Sequence, residues 1–438
     1  MEQLKENYGN ITTNDDFVCF SQQKNNVIEI KKDYDFIKNY FNNLNKDNSH
    51  FVNSNDICTP IECVKEMVDS IPDKFWQIPN LKILDCCCGN GNFHSYINLK
   101  TPLKNLYFNE INEKRIANLV NFFGNNINLT RQDFLTFENK EEYDLVVANP
   151  PYAKFDNNNN RVSKNHNLAR DFIRKALNIT KKDGYILFIV PNNWMSFSDR
   201  NDLPRELSKY QFIHLDIGGA KKYFKNVGSS FTWFLLQKTT NKTSFTIKNT
   251  YKINDMQTAK LDIGIDFIPL YYNELVRSII NKTINNVSLP KYQIETNSFL
   301  HHYTKKANIK EVKDNEFCYK LIHTPTQICY SNIPHKYQDG YKVFLSLSNQ
   351  YGTFIDNCGM TQSVAYIKCK DLQEAKKIKS ELDNEFYVFL NNITRYGNFN
   401  NIRVLQKFPI LESFNLTNEE KEFIKIFNME YYGNKKEK

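Results

Sequence analysis

No apolar run in this chain approaches the ~18 residues that a membrane-spanning helix needs, which excludes a helical membrane anchor. The opening residues, Met1-Glu2-Gln3-Leu4-Lys5-Glu6, are polar and carry no secretory signal. These two absences predict a soluble, cytoplasmic protein with no membrane partner. No CxxC pair occurs among the ten cysteines. Cys86, Cys87 and Cys88 are consecutive, so their side chains cannot all face one ion, and the other seven are scattered. A zinc or disulfide framework is therefore excluded, no metal is expected, and the thiols read as free in a reducing compartment. No internal repeat is present.

What is present is a globular composition, 41% hydrophobic and 24% charged over 438 residues, enough for two or three domains. Aromatics reach 14%, a level that an AT-rich genome also produces. A net charge of +8 favours a polyanionic partner, weakly on its own. Residues 1 to about 50 form a polar, Asn/Lys-rich extension with helical hints from Tyr34 to Phe41. Within it, Glu29-Ile30-Lys31 contains an ExK of the kind found in nuclease sites, but too little chain precedes it and a lone ExK is usually surface charge. Residues 51–240 alternate short apolar strands with helix-length segments. The strands are Leu81 to Cys86, Asn105 to Asn109, Asp144 to Ala148, Gly184 to Val190, Phe212 to Asp216 and Ser230 to Gln237. Helices are expected over Glu113 to Phe123 and Ala169 to Ile179. Apolar, non-alternating strands interleaved with helices predict a mostly parallel sheet covered on both faces. A polar stretch, Lys238 to Ser244, marks a boundary; residues 245–425 mix strands and helices, and 426–438 form a charged tail. The run Asp156 to Asn160 reads as a solvated loop.

The chemistry-bearing segments fall at successive strand ends. Asp85-Cys86-Cys87-Cys88-Gly89-Asn90-Gly91 is a strand entering a Gly-rich turn, where Gly89 and Gly91 permit a sharp bend and close approach to a ligand. His94 stands where the third glycine of GxGxxG would be, which weighs against a dinucleotide-phosphate loop. Glu110, at the next strand end, is suited to accept hydrogen bonds from ribose hydroxyls, although alone it reads better as a helix N-terminal acid. Asp133 and Phe134 follow at a third strand end; alone they read as a turn Asp beside a core Phe. The fourth strand ends in Asn149-Pro150-Pro151-Tyr152. This tetrad offers a side-chain amide, a fixed backbone carbonyl and a flat ring to one planar group, which is what methyl transfer to a conjugated exocyclic nitrogen requires. Ligands of open α/β sheets bind at the carboxyl ends of strands, so the four segments reinforce one another.

In these motifs and their order the chain resembles the S-adenosylmethionine-dependent DNA adenine-N6 methyltransferases whose target-recognition domain is C-terminal. The resemblance covers about residues 51 to 238. It implies a Rossmann-like class I methyltransferase domain with a mostly parallel seven-stranded sheet, followed by an α+β target-recognition domain. It implies S-adenosyl-L-methionine as cofactor, held by Thr59, Pro60, Asp85, Gly89, Gly91, Glu110, Ile111, Asp133, Phe134 and Asn149. Asn149, Pro150 and Tyr152 would act on the target base. Phe224 would supply a second stacking ring, with Tyr223 and Phe231 as alternatives because the motif aligns loosely there. The three cysteines depart from the family's usual small residues in the methionine loop, and Cys packs as a small apolar group.

The implied partner is double-stranded DNA, contacted by the protein as a monomer, with a cognate restriction endonuclease as a further expected partner. Lys154, Arg161 and Lys164 in the loop after the tetrad are candidate phosphate contacts. In the C-terminal half, Lys305, Arg395, Tyr396, Asn398 and Arg403 are candidate DNA contacts, since Arg suits guanine and Asn suits adenine in the major groove. Gly359 to Pro409, with a helix over Leu372 to Leu382, is similar to recognition domains of type II adenine methyltransferases. Three other readings stay open: a protein-glutamine methyltransferase, an RNA adenine methyltransferase, and a non-catalytic DNA-binding subunit.

Overall fold

The computed structural model describes residues 18–23, 26–46, 49, 57–136, 138, 141–152, 168–198, 201–224, 230–249, 256–348 and 350–433. The chain divides into two compact units, residues 1–194 with 206–248, and residues 195–205 with 249–438.

In the first unit, β1 (Val18–Gln23) and β2 (Asn26–Lys31) form an antiparallel pair. Helix α1 (Tyr34–Leu44) starts where the Asp33 carboxylate accepts from the Phe36 amide at 3.0 Å. It buries Ile37 and Phe41, one turn apart on a single face, in the core of this unit. The Phe41 ring meets Phe122 with centroids 5.0 Å apart. The segment expected as a polar extension thus contributes a core helix. Pro60 precedes α2 (Ile61–Val68), which buries Ile61, Val64, Met67 and Val68.

The sheet follows. β3 (Ile83–Asp85) leads into α3 (Asn92–Ile97); β4 (Leu106–Asn109) into α4 (Glu113–Phe123); then come β5 (Asn128–Thr130) and β6 (Tyr143–Ala148). After α5 (Leu168–Ile179), β7 (Thr180–Pro191) carries an unbroken buried run from Tyr185 to Val190. A short helix, α6 (Leu203–Leu207), precedes β8 (Tyr210–Ile217), β9 (Phe231–Thr240) and β10 (Phe245–Lys248). These strands lie side by side in the order β10-β8-β9-β7-β6-β3-β4-β5. All neighbours are parallel except β9, which runs antiparallel to both β7 and β8. The expected seven strands are β3 to β9, and β10 extends that sheet at the β8 edge. Strands with both faces covered carry continuous apolar runs, as Leu145 to Ala148 in β6 and Tyr185 to Val190 in β7 do.

The second unit is α+β. It contains β11 (Met256–Ala259) and helix α7 (Glu274–Lys282), then two four-stranded sheets. One is built from β12 (Glu295–Thr296), β16 (Lys342–Ser346), β17 (Thr353–Asp356) and β19 (Val364–Lys368). The other is built from β13 (Ile309–Lys310), β14 (Tyr319–Thr324), β15 (Gln327–Ser331) and β18 (Gly359–Met360). Helices α8 (Leu372–Leu382), α9 (Glu385–Ile393), α10 (Ile402–Leu405) and α11 (Asn418–Gly433) close the unit. Among the described residues no helix is long and apolar enough to cross a membrane, and no group of three or more His, Cys, Asp or Glu side chains could hold a metal ion. Cys63, Cys86, Cys87, Cys88, Cys318, Cys329, Cys358 and Cys369 form no disulfide.

Candidate active site at the strand ends

Parallel register brings the first and fourth motifs together. Asp85, the last residue of β3, pairs with Val147 of β6, two residues before Asn149. The loop after β3 needs its glycines. Gly89 and Gly91 have φ of 56° and 89°, left-handed values that side chains resist. A Cβ on Gly91 would stand 2.5 Å from the Phe123 ring and 2.8 Å from Leu119, so the turn is packed directly on α4.

The loop borders a cleft lined in part by Thr59, Asp85, Cys87, Gly89, Asn92 and Asn149. Four of the expected cofactor residues, Thr59, Asp85, Gly89 and Asn149, share this lining; Pro60, Gly91, Glu110, Ile111, Asp133 and Phe134 lie outside it. Asn92, Cys58 and Arg115 line the cleft and were not anticipated. Asn92 had a visible signal, since it closes the Gly-Asn-Gly-Asn turn; its Nδ2 donates to the Thr59 carbonyl at 2.7 Å and ties the loop to the segment before α2. Asp85 is 1% exposed. Its Oδ1 is 3.4 Å from the Cys87 amide, and its Oδ2 has no hydrogen-bond partner among the described residues. Burial pushes this carboxyl far above the usual carboxylate range. A buried acid with a vacant lone-pair side on a cleft wall is suited to a cationic or N–H-bearing ligand group.

Glu110 is also buried, but its carboxylate is engaged. Oε2 accepts from the Gly89 amide at 2.8 Å; Oε1 accepts from Ile111 and Asn112 at 2.9 and 2.8 Å. It clamps the Gly-rich turn to the start of α4, and one lone pair remains on Oε2. Ile111 is 63% exposed beside it. Asp133 is exposed and accepts from the Leu135 amide at 2.9 Å, while Phe134 is buried against Phe172 with centroids 5.4 Å apart.

The tetrad is held from two sides. Asn149 Nδ2 donates to the Ile57 carbonyl and to Thr59 Oγ1, both at 3.0 Å. The Ile57 carbonyl can only accept, so the amide nitrogen must face this side and Oδ1 the other. The Tyr152 hydroxyl donates to that Oδ1. Burial raises the Tyr152 hydroxyl well above its ordinary range, so it stays protonated. Tyr152 packs on Phe231 with centroids 5.8 Å apart, and Phe224 packs on the same Phe231 at 4.9 Å.

In the second unit, Arg395, Tyr396, Asn398 and Arg403 share the loop and first turn after α9, and Lys305 is exposed elsewhere in that unit. Arg395 Nη2 donates to the Asn398 carbonyl at 2.9 Å, and the Tyr396 hydroxyl is buried on the Ile268 carbonyl at 2.5 Å. Asn398 and Arg403 are exposed. Lys154, Arg161 and Lys164 lie outside the described residues, as does the Asp156–Asn160 loop.

Residues 22–224 match the sequence model of the family described as Eco57I restriction-modification methylase. Two solved structures resemble the chain over most of its length. A nuclease-deletion mutant of the Type ISP restriction-modification enzyme LlaGI, in complex with a DNA substrate mimic, aligns at 13% identity with a TM-score of 0.52, over 91% of this chain and 48% of that one. The DrdV–DNA complex aligns at 12% identity with a TM-score of 0.50, over 90% of this chain and 59% of that one. Likeness at such identities establishes the fold alone, an α/β fold built on a large, mostly parallel sheet. The chain spans about half of the length of these two enzymes. No curated protein matches it.

Proposed function

We propose that the protein is a site-specific DNA methyltransferase of the restriction-modification kind, transferring a methyl from S-adenosyl-L-methionine to N6 of an adenine flipped out of duplex DNA. The observation that carries this reading is Asn149 itself. It begins the Asn-Pro-Pro-Tyr tetrad and lines the same cleft as Thr59, Asp85 and Gly89. The family match over residues 22–224 supports the methylase half of the reading.

The residues fit the cofactor. Asp85 would take its ammonium group, which relieves the uncompensated burial of that carboxyl; Gly89 allows close approach; Glu110 keeps one lone pair on Oε2 for a ribose hydroxyl. When bound, S-adenosylmethionine supplies an electrophilic methyl on a sulfonium. Every other requirement falls on the chain. The adenine amino nitrogen is a poor nucleophile because its lone pair is delocalised into the ring. Asn149 Oδ1 and the Pro150 carbonyl each accept one of its N–H bonds, localising that lone pair and stabilising the positive charge that develops, the inverse of an oxyanion hole. The Tyr152 hydroxyl occupies one lone pair of Oδ1 and leaves the second for the amine. The surplus proton leaves to water, so no strong base is required. Extruding the base costs a few kcal/mol, and stacking on Tyr152, with Phe224 as the second ring of the site, returns roughly 1–3 kcal/mol per ring.

The test is expression in a methylation-free host followed by sequencing with modification-sensitive long reads. One short motif carrying N6-methyladenine is the expected result. Unmodified DNA from a preparation that binds S-adenosylmethionine would overturn the DNA assignment and leave RNA adenine or a glutamine amide.

A further inference from the structure

The chain from residue 59 to residue 66, which leads into helix α2, touches the proposed site at its beginning. At its start, Thr59 Oγ1 accepts from Asn149 Nδ2. Seven residues later, in the second turn of α2, stands Glu66. Its carboxylate accepts from the Tyr223 hydroxyl at 2.5 Å, pairs with Lys222 at 2.8 Å and pairs with Lys248. Lys248 in turn lies 3.4 Å from the buried Asp216 at the end of β8. Asp216 fastens the start of the same turn: its Oδ1 accepts from the Gly219 amide, and a Cβ on Gly219 would stand 2.5 Å from this carboxylate. The short 3-10 turn Gly219–Tyr223 is therefore gripped by two carboxylates, one from β8 and one from α2. Phe224 follows it directly, packs on Phe231, and Phe231 packs on Tyr152, whose hydroxyl returns to Asn149 Oδ1. The contacts close a ring: Asn149, Thr59, α2, Glu66, Tyr223–Phe224, Phe231, Tyr152 and back to Asn149.

We infer that Glu66 is a positioning residue for methyl transfer, with α2 as a strut that fixes the aromatic wall of the base pocket relative to the amide that binds the amino group. The inference rests on the methyltransferase reading above. Glu66 meets neither the cleft nor the tetrad, so it acts through Tyr223 and Phe224 alone. Three donors converge on one carboxylate, more than tethering a surface turn requires, and each comes from the segment that leads into Phe224 or from β10 beside it.

The test uses the full chain with Tyr223→Phe, Glu66→Gln and the double variant. Tyr223→Phe removes one oxygen and leaves both ion pairs, so it guards against simple loss of the fold. The expected result is a single-turnover methylation rate lowered about tenfold in each single variant, equivalent to about 1.4 kcal/mol of barrier. Affinity for S-adenosylmethionine should stay within about twofold, and the double variant should be no slower than the slower single one, since both changes break one linkage. Amide exchange at Phe224, whose N–H donates to the Lys221 carbonyl at 3.1 Å, should quicken in the same variants. Rates within twofold of wild type, or fully additive losses, would overturn the strut. If wild-type protein methylates no DNA, the function assigned above falls instead, and the exchange measurement still decides: unchanged protection at Phe224 refutes the coupling.

Discussion

Asn149 shows how much of a site can depend on one amide. Its nitrogen is fixed by Ile57 and Thr59, its oxygen by Tyr152, and both ends must be right for the oxygen to face a substrate. Asn149→Ala is expected to abolish methyl transfer while S-adenosylmethionine still binds, as isothermal calorimetry would read; turnover within a few-fold of wild type would rule out the mechanism. Glu66 supplies a second prediction. Burial pushes its carboxyl up, but hydrogen bonds from Lys222, Lys248 and Tyr223 outweigh that and hold it at about 2. A carboxyl depressed in the folded state adds stability above its unfolded pKa and loses it as pH falls from about 4.5 toward about 2. The difference in thermal midpoint between wild type and Glu66→Gln should therefore be largest above about pH 5 and close as pH approaches about 2; a difference independent of pH would refute it. At this scale the tetrad and the Gly-rich turn were legible because their chemistry is local. Cys58, Asn92 and Arg115 were not read, because a cleft wall is assembled from segments far apart in sequence. Glu66 was silent for the same reason, its partners lying more than 150 residues away.

Elements repeat the pattern. Helix α4 matches its expected span because Asn112 caps its first turn and Gly124, at φ 90°, ends it. Strand β7 begins at Thr180, earlier than its apolar run, because Thr180 pairs with Tyr143 of β6 and Lys181 forms an ion pair with Asp144 at 2.8 Å. Polar composition hides such a start. It also hid the role of α1, where two buried side chains among polar neighbours make a core helix. Phe41 is fully buried. Phe41→Ala is expected to destabilise the first unit by about 3–5 kcal/mol, the usual cost of emptying a packed aromatic site. Denaturant unfolding followed by a probe in that unit would read it, and a loss below about 1 kcal/mol would mean that the helix is not integral to the core.

For the whole molecule, charge is the quantity with a measurable consequence. A net charge of +8 and exposed cations such as Lys305 and Arg403 fit phosphate contact in the proposed complex. Raising salt from about 50 to about 200 mM should weaken duplex binding roughly a thousandfold if about six phosphates are neutralised. S-adenosylmethionine affinity should hardly change; a flat DNA profile would argue against a duplex ligand. The sequence marked a boundary near residue 240 from composition alone. It carried no sign that Met195–Arg205 is counted with the second unit, because nothing in a short polar stretch says which core it will join. That excursion means the backbone passes between the units at residues 194, 205 and 248. A protease nick near residue 248 would leave residues 195–205 on the fragment that carries the first unit, and a recombination event there would carry over an incomplete second unit. Exchange of that unit between relatives, by laboratory chimera or by gene shuffling, thus requires three coordinated splice sites.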